Sequence, residues 1–270
     1  MFTKNKLKKF HSNSCKIRMD IIDMLFKAQS GHSGPSLSIV EILNYLFFEK
    51  KIYKDFNKRH HFILSKGHAV PALYSVLYNL DMIKKKELLS FRDIGTKLQG
   101  HPDRTKLNYI ELGTGALGQG LSVSIGFALA NIMLKNTRKS FCIIGDGEIQ
   151  EGQIWEAAMY AGSNNLNNLC VILDNNKMQN ETYTKQTLDV MPLKEKWQAF
   201  NWNVVDINGH SFMQIDKAFN KFYSEKKKPT IIIANTIKGK GISFMEDSAT
   251  WHSKVLDKKN YLLAKKELIK

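Results

Sequence analysis

At 270 residues the chain is long enough for one large α/β domain or two small ones, and 43% hydrophobic with 24% charged residues excludes the disordered and collagen-like classes. The formal charge of +15 raises a nucleic-acid reading, yet only five of the 40 basic residues are arginine (Arg18, Arg59, Arg92, Arg104, Arg138), the residue that reads base edges and forks phosphates. The lysines are scattered, so the charge reads as compositional bias, with a basic surface that attracts phosphorylated substrates as the alternative; no nucleic-acid partner is expected.

In chain order, the basic N-terminus "MFTKNKLKKFHSNSCKIRMDIIDMLFKA" places its apolar residues at helical spacing and lacks an unbroken apolar core or cleavage site. It reads as an amphipathic helix over about residues 5–29, with no signal peptide. Helical periodicity recurs at about 37–49, 68–80, 117–134, 151–163, 212–224 and 257–268. Between these lie the strand-like runs "SFCIIG", "NLCVILD", "WNVVDI" and "TIIIANT", which carry few polar interruptions. Strands apolar on both faces and separated by helices predict a doubly wound α/β fold: a mainly parallel sheet covered by helices on both sides. No repeat or Pro-rich linker divides the chain, so one domain over residues 1–270 is expected. No run approaches 18 apolar residues, so no membrane span is expected. Cys15, Cys142 and Cys170 lack CxxC spacing and read as core thiols of a cytoplasmic protein.

Ligands of such sheets bind beyond the carboxyl ends of the strands. "GDGEIQEG" (145–152) falls there, behind "FCII", with Gly145 and Gly147 allowing a sharp turn and a close approach to a ligand. The next strand ends in "DNN" (174–176), so that Asp146 and Asn176 lie 30 positions apart, one helix plus one strand, at neighbouring strand tips. A carboxylate, an amide oxygen and a backbone carbonyl from Lys177 or Met178 form an oxygen-rich half-shell, the kind Mg2+ completes with phosphate and water.

"GDGEIQEG" followed about 30 residues later by "DNN" resembles the thiamine diphosphate motif, and "SGHSG" (30–34), "LSKGHAVPALY" (64–74), "LQGHP" (98–102) and "TGALGQGLS" (114–122) resemble the N-terminal half of transketolase. The resemblance runs from about Ser30 to His252. It implies that Asp146, the Asn176 side chain and the Met178 carbonyl hold the metal, that Gly147 contacts the diphosphate, and that Gly115, Leu117 and Met178 meet the rest of the cofactor. Glu151 matches the acid that links two cofactor sites across a dimer. His32 and His101 would bracket the donor sugar's hydroxyls, while His68 and His252 would lie between diphosphate and reacting carbon, where imidazole can exchange protons near neutral pH. His11, His60, His61 and His210 read as structural or surface residues.

The activity implied is transfer of a two-carbon ketol unit from a ketose phosphate to an aldose phosphate in the pentose phosphate pathway, with the cofactor supplying the carbanion. In that family the activating glutamate and the sugar-phosphate clamp lie in a following domain, which this chain does not contain before Lys270. A naturally split enzyme is therefore expected, with a partner chain carrying the pyrimidine-binding and C-terminal domains and two copies of each chain. Pro35, Ser211 and Ser253 depart from a glycine, an acid and a glycine usual in the family, and Pro35 could reorient the His32 loop. Alternative readings are a split transketolase-like enzyme with another ketose donor, the α-chain of a 2-oxo-acid dehydrogenase, a 1-deoxyxylulose-phosphate synthase fragment, and a non-catalytic anion- or diphosphate-binding module.

Overall fold

The computed structural model describes the chain except for residues 1, 54, 56, 57, 181 and 270. Helix α1 (Lys4–Ala28) is followed by α2 (Ser33–Ser38) and α3 (Val40–Asn44), which runs into a π-helical turn at Tyr45–Glu49. Strand β1 (His61–Leu64) leads through a 3-10 turn at Gly67–Ala69 into α4 (Val70–Asn79), with α5 (Lys85–Leu88) beyond. Helix α6 (Gln119–Met133) precedes β2 (Ser140–Gly145); a 3-10 turn at Glu148–Gln150 then leads to α7 (Gly152–Ser163) and β3 (Leu169–Asn175). A short antiparallel ribbon of β4 (Met178–Gln179) and β5 (Thr182–Tyr183) comes before α8 (Thr184–Thr187) and α9 (Leu193–Ala199). The order ends with β6 (Asn203–Asn208), α10 (Phe212–Ser224), β7 (Thr230–Asn235), a 3-10 turn at Ala249–His252 and α11 (Lys258–Ile269).

Five strands pair in parallel in the order β1-β2-β3-β7-β6. Their side chains alternate between two cores, which is why the strands read as unbroken apolar runs. Phe141, Ile143, Ile172 and Ile232 join one core with α1 and α10, while Cys142, Ile144, Val171 and Ile231 join the other with α6 and α7. The fold is thus the expected doubly wound, parallel α/β arrangement with helices on both faces. On α10, Phe212, Ile215, Phe219 and Phe222 are buried at i, i+3, i+7 and i+10, one helical stripe laid on the sheet.

Three differences from the sequence reading have local causes. Strand β1 was not expected: it is a four-residue edge strand, too short to show a period. The helix expected over 37–49 starts earlier, at Ser33, and is interrupted at Ile39, whose φ of −102° and ψ of 8° leave the helical region. Cys15 is exposed on α1, so only Cys142 and Cys170 are core thiols. Among the described residues no helix is long and apolar enough to cross a membrane.

Register positions the site. Gly145 at the end of β2 pairs with Asp174, and Asp174 pairs with Ala234 of β7. Asp146 and Asn176, each one residue beyond its strand, therefore emerge side by side at the carboxyl edge.

Candidate functional site

A cavity of about 340 Å³ opens at the carboxyl ends of β2 and β3. Its floor is the loop after β2. Asp146 is buried, and its carboxylate accepts the backbone N–H of Gly147 at 2.8 Å and that of Lys177. Burial, then the neighbouring Asp174 charge, push Asp146 up to about 7 despite Lys66 and the two N–H donors. A carboxylate held so uncomfortably is one that a cation would relieve. Asn176 is also buried; its Oδ1 accepts Met178 N–H at 3.0 Å, and its Nδ2 donates to Asp174 at 3.0 Å. Among the described residues no three His, Cys, Asp or Glu side chains converge as a ready metal nest. Asp146, Asn176 and Met178 line the cavity together and could offer at most a partial oxygen shell, of the kind a hard cation completes with phosphate oxygens and water.

Gly145 and Gly147 are needed less for turning than the sequence suggested. Gly147 has an ordinary φ of −70°, but a Cβ there would come within 2.8 Å of Gln179 Cβ. Close approach to β4 is its reason for being glycine.

Two buried lysines that the sequence analysis did not single out line the cavity. Lys66, from the "LSKGHA" run, is 2% exposed and pairs with Asp174, which also accepts Ser38 Oγ at 2.7 Å and Thr236 Oγ1. Burial alone would raise Asp174, yet the Lys66 charge and these hydrogen bonds hold it below the usual carboxylate range. Lys238, from "TIKGKGIS", is 1% exposed and donates to Asn180 O at 3.2 Å. Burial, then repulsion from Lys66, lower its ammonium to about 8. Lys66 has a buried counter-ion in Asp174, whereas Lys238 bonds a neutral carbonyl, and an anion in the cavity would favour its ammonium. Lys66 and Asp174 lie in quoted motifs, but only tertiary folding brings positions 66, 174 and 238 together, so no local pattern shows that their charges meet.

The four histidines singled out in the sequence do converge. His32 has its ring centroid 5.4 Å from His68, 5.3 Å from His252 and 6.4 Å from His101, and His68 lies 5.3 Å from His252. Burial lowers all four from the ordinary imidazole value: His32 to about 4 and His252 to about 3, with Arg92 and Lys238 respectively as the next causes. His68 is lowered further by Lys66, and His101 by Arg92. All four are neutral at pH 7, able to donate at one nitrogen and accept at the other. The buried Nδ1 atoms of His32 and His252, and the buried Oε1 of Gln179 beside them, have no hydrogen-bond partner within the chain. Buried polar atoms without partners cost stability, and a ligand in the cavity would supply the missing bonds.

The remaining predicted residues lie on the rim and opposite wall. Gly115, at φ +145°, lies against the His101 ring, where a Cβ would sit 3.1 Å from Cδ2. Leu117 and Met178 line the cavity, whereas Glu151 is exposed at its mouth as the N-cap position of α7 and makes no capping bond. The missed Glu148 is buried beneath this wall; burial raises its carboxyl against hydrogen bonds from Ser65, Gly118 and Gly145.

The three departures are absorbed locally. Pro35 sits in the first turn of α2, where a helix needs no N–H, so His32 stays in the cavity. Ser211 caps α10 by accepting Gln214 N–H at 3.4 Å, the work an acid would do. Ser253 has φ −133°, which requires no glycine. His210, read as structural or surface, bridges Glu41 at 2.9 Å and Ile237 N–H at 2.8 Å.

A parallel α/β sheet with a cationic, oxygen-lined cavity beyond its central strands defines a ligand-binding fold of the cofactor-dependent kind. Residues 11–268 match the family model described as transketolase, thiamine diphosphate binding domain. One of the subunits of the apulose-4-phosphate transketolase of Phocaeicola vulgatus is 37% identical over 257 residues, covering 94% of this chain and 91% of that protein. The 6-deoxy-6-sulfo-D-fructose transketolase subunit SqwG of a Clostridium species is 40% identical over 258 residues, covering 94% of each. Human transketolase is 36% identical over 258 residues, but these span only 41% of its length. The solved transketolase of Leishmania mexicana superposes with a TM-score of 0.92 at 25% identity, covering 97% of this chain and 41% of that one. The chain belongs to the transketolase family and comprises its thiamine diphosphate-binding domain.

Proposed function

We propose that this chain is the diphosphate-binding subunit of a split transketolase that moves a two-carbon ketol unit from a ketose phosphate to an aldose phosphate. The observation that carries this reading is the cavity itself, where a buried carboxylate–amide pair, two buried lysines and the imidazoles of His32, His68 and His252 converge, with His101 outside the lining at 6.4 Å from His32. Asp146, Asn176 and the Met178 carbonyl would hold Mg2+, and Gly147, Lys66 and Lys238 would meet the diphosphate. When bound, thiamine diphosphate supplies the nucleophilic carbon and electron sink of the reaction.

This chain's own residues then bind, orient and move protons. Gly115 and Leu117 form the wall for the rest of the cofactor, and His68 and His252 stand between that wall and the phosphate end. His32 and His101 receive the sugar hydroxyls. Neutral imidazoles suit this role, since each can accept a hydroxyl proton as charge develops and return it afterwards. Glu151, exposed beside the cavity, would reach a neighbouring subunit.

The whole of 1–270 acts in this reading as one domain, with the pyrimidine-binding and C-terminal domains on a partner chain, two copies of each chain, and a cytoplasmic, pentose phosphate setting. Two relatives whose names give subunits support the partner. Their names also give sugars other than the usual pentose phosphates, which favours a second reading with a different ketose donor. Ketol transfer from xylulose 5-phosphate to ribose 5-phosphate, with thiamine diphosphate and Mg2+, tests both. Activity only when a partner chain is added supports the split transketolase. A cofactor-loaded complex inactive on these sugars but active on a modified ketose supports the second reading.

A further inference from the structure

Helix α6 begins at Gly118, whose φ of +85° and missing side chain leave it unable to cap its own helix. The capping groups come from elsewhere in the chain. Glu148 Oε1 accepts Gly118 N–H at 2.8 Å and the Ser65 hydroxyl, and Ser65 Oγ in turn accepts Gly120 N–H at 3.1 Å. The other oxygen, Oε2, accepts Gly145 N–H at 3.0 Å, at the end of β2. One buried carboxylate, 2% exposed, thus ties the end of β1, the end of β2 and the start of α6. These are the roots of the Lys66–His68 segment, the Asp146–Gly147 loop and the 115–117 wall.

We propose that Glu148, acting with Ser65, is a positioning residue that sets the spacing between the 115–117 wall and the 146–147 loop. The proposal rests on the thiamine diphosphate reading, because a ligand that touches both walls is what the spacing would serve. It has a second consequence. The positive end of α6 is already occupied by a protein carboxylate, so the diphosphate gains nothing from that helix and depends on Lys66, Lys238 and the metal shell.

The test compares the 270-residue chain with its Glu148→Gln, Glu148→Ala and Ser65→Ala variants. Hydrogen exchange at the Gly118 and Gly145 amides is followed in the ligand-free chain. Affinities are then measured by calorimetry for Mg2+ with thiamine diphosphate and for Mg2+ with inorganic diphosphate. Glu148→Ala is expected to speed exchange at both amides by about tenfold or more, as loss of a buried charged acceptor implies. It should weaken thiamine diphosphate by about tenfold while leaving inorganic diphosphate, which touches one wall, within about twofold. Glu148→Gln keeps an oxygen for Gly118 but turns an amide towards Gly145, so its effects should be intermediate and confined to the Gly145 amide. If Glu148→Ala fails to fold, that graded Gln response decides. Combined with Ser65→Ala, the losses should be less than additive. Unchanged exchange in Glu148→Gln and Glu148→Ala, or equal weakening of both ligands, overturns the proposal. A wild-type chain that binds neither ligand, both alone and with its partner chain added, instead overturns the cofactor reading, and the exchange data still decide the clamp.

Discussion

Two groups of buried charge in this molecule are satisfied in opposite ways. In the first, Arg18 and Glu41 are 5% and 4% exposed and joined by two hydrogen bonds of 2.7 and 2.9 Å. Arg18 Nε also donates to Lys240 O at 2.7 Å, and His210 closes the group against Glu41. Burial alone would raise Glu41, but Arg18 and His210 hold it well below the usual carboxylate range. In the second group, around the cavity, Asp146 is pushed up, Lys238 is pushed down, and imidazole nitrogens of His32 and His252 stay unpaired. Charge paired wholly within the chain serves the fold, whereas charge left under strain points to something from outside. Titratable groups shifted by burial and by named charge partners within one cleft are the pattern by which functional sites are recognised.

If that contrast holds, the largest stability loss should come from the first group. Glu41→Gln leaves the Arg18 charge buried without its counter-ion, and chemical denaturation should show a loss of about 3–5 kcal/mol. The same pair gives a pH signature. Because Glu41 is depressed from 4.5 in the folded state, the unfolded chain binds the extra proton as pH falls below that value. The pair's contribution is fully present above about pH 4.5 and drains away on further acidification; the Gln variant should show a flatter acid limb. An identical acid limb in both proteins would break the comparison on this side.

Asp146→Ala should act the other way, leaving the midpoint of thermal unfolding nearly unchanged while Mg2+-dependent thiamine diphosphate affinity falls by about a hundredfold. Wild-type affinity in a calorimetric titration would refute its assignment as a metal ligand. His101→Ala should lower kcat/KM for the donor ketose by about tenfold to a hundredfold, with cofactor affinity unaltered. Equal donor efficiency would remove His101 from the sugar site. The smallest effect belongs to Ser211→Ala. Its capping bond is long, at 3.4 Å, and differential scanning calorimetry should register a loss of only about 0.5 kcal/mol with unchanged cofactor binding.

Much of this molecule was legible beforehand. The run "SFCIIG" is the strand Ser140–Gly145 residue for residue, because a strand buried on both faces reads as a nearly continuous apolar run. The amphipathic stripe of Phe212–Ser224 located its helix equally well. Asp146, Asn176 and the four histidines were visible as motifs, since each sits in a short loop whose glycines and acids are local features. The interruption at Ile39 has no glycine or proline at that position to announce it, and the neighbouring Ser38 bond to Asp174 joins residues 136 positions apart.

The alternation of helices and strands, the parallel sheet and the loops that carry chemistry follow from periodicities a few residues long. Tertiary structure alone decided which charges meet. Lys66 and Lys238 come from separate segments and line one cavity, Asp174 from a third pairs with Lys66, and Glu148 reaches Ser65 and Gly118 across two loops. Electrostatic and hydrogen-bond energies depend on distance in space, and distance along the chain does not report it.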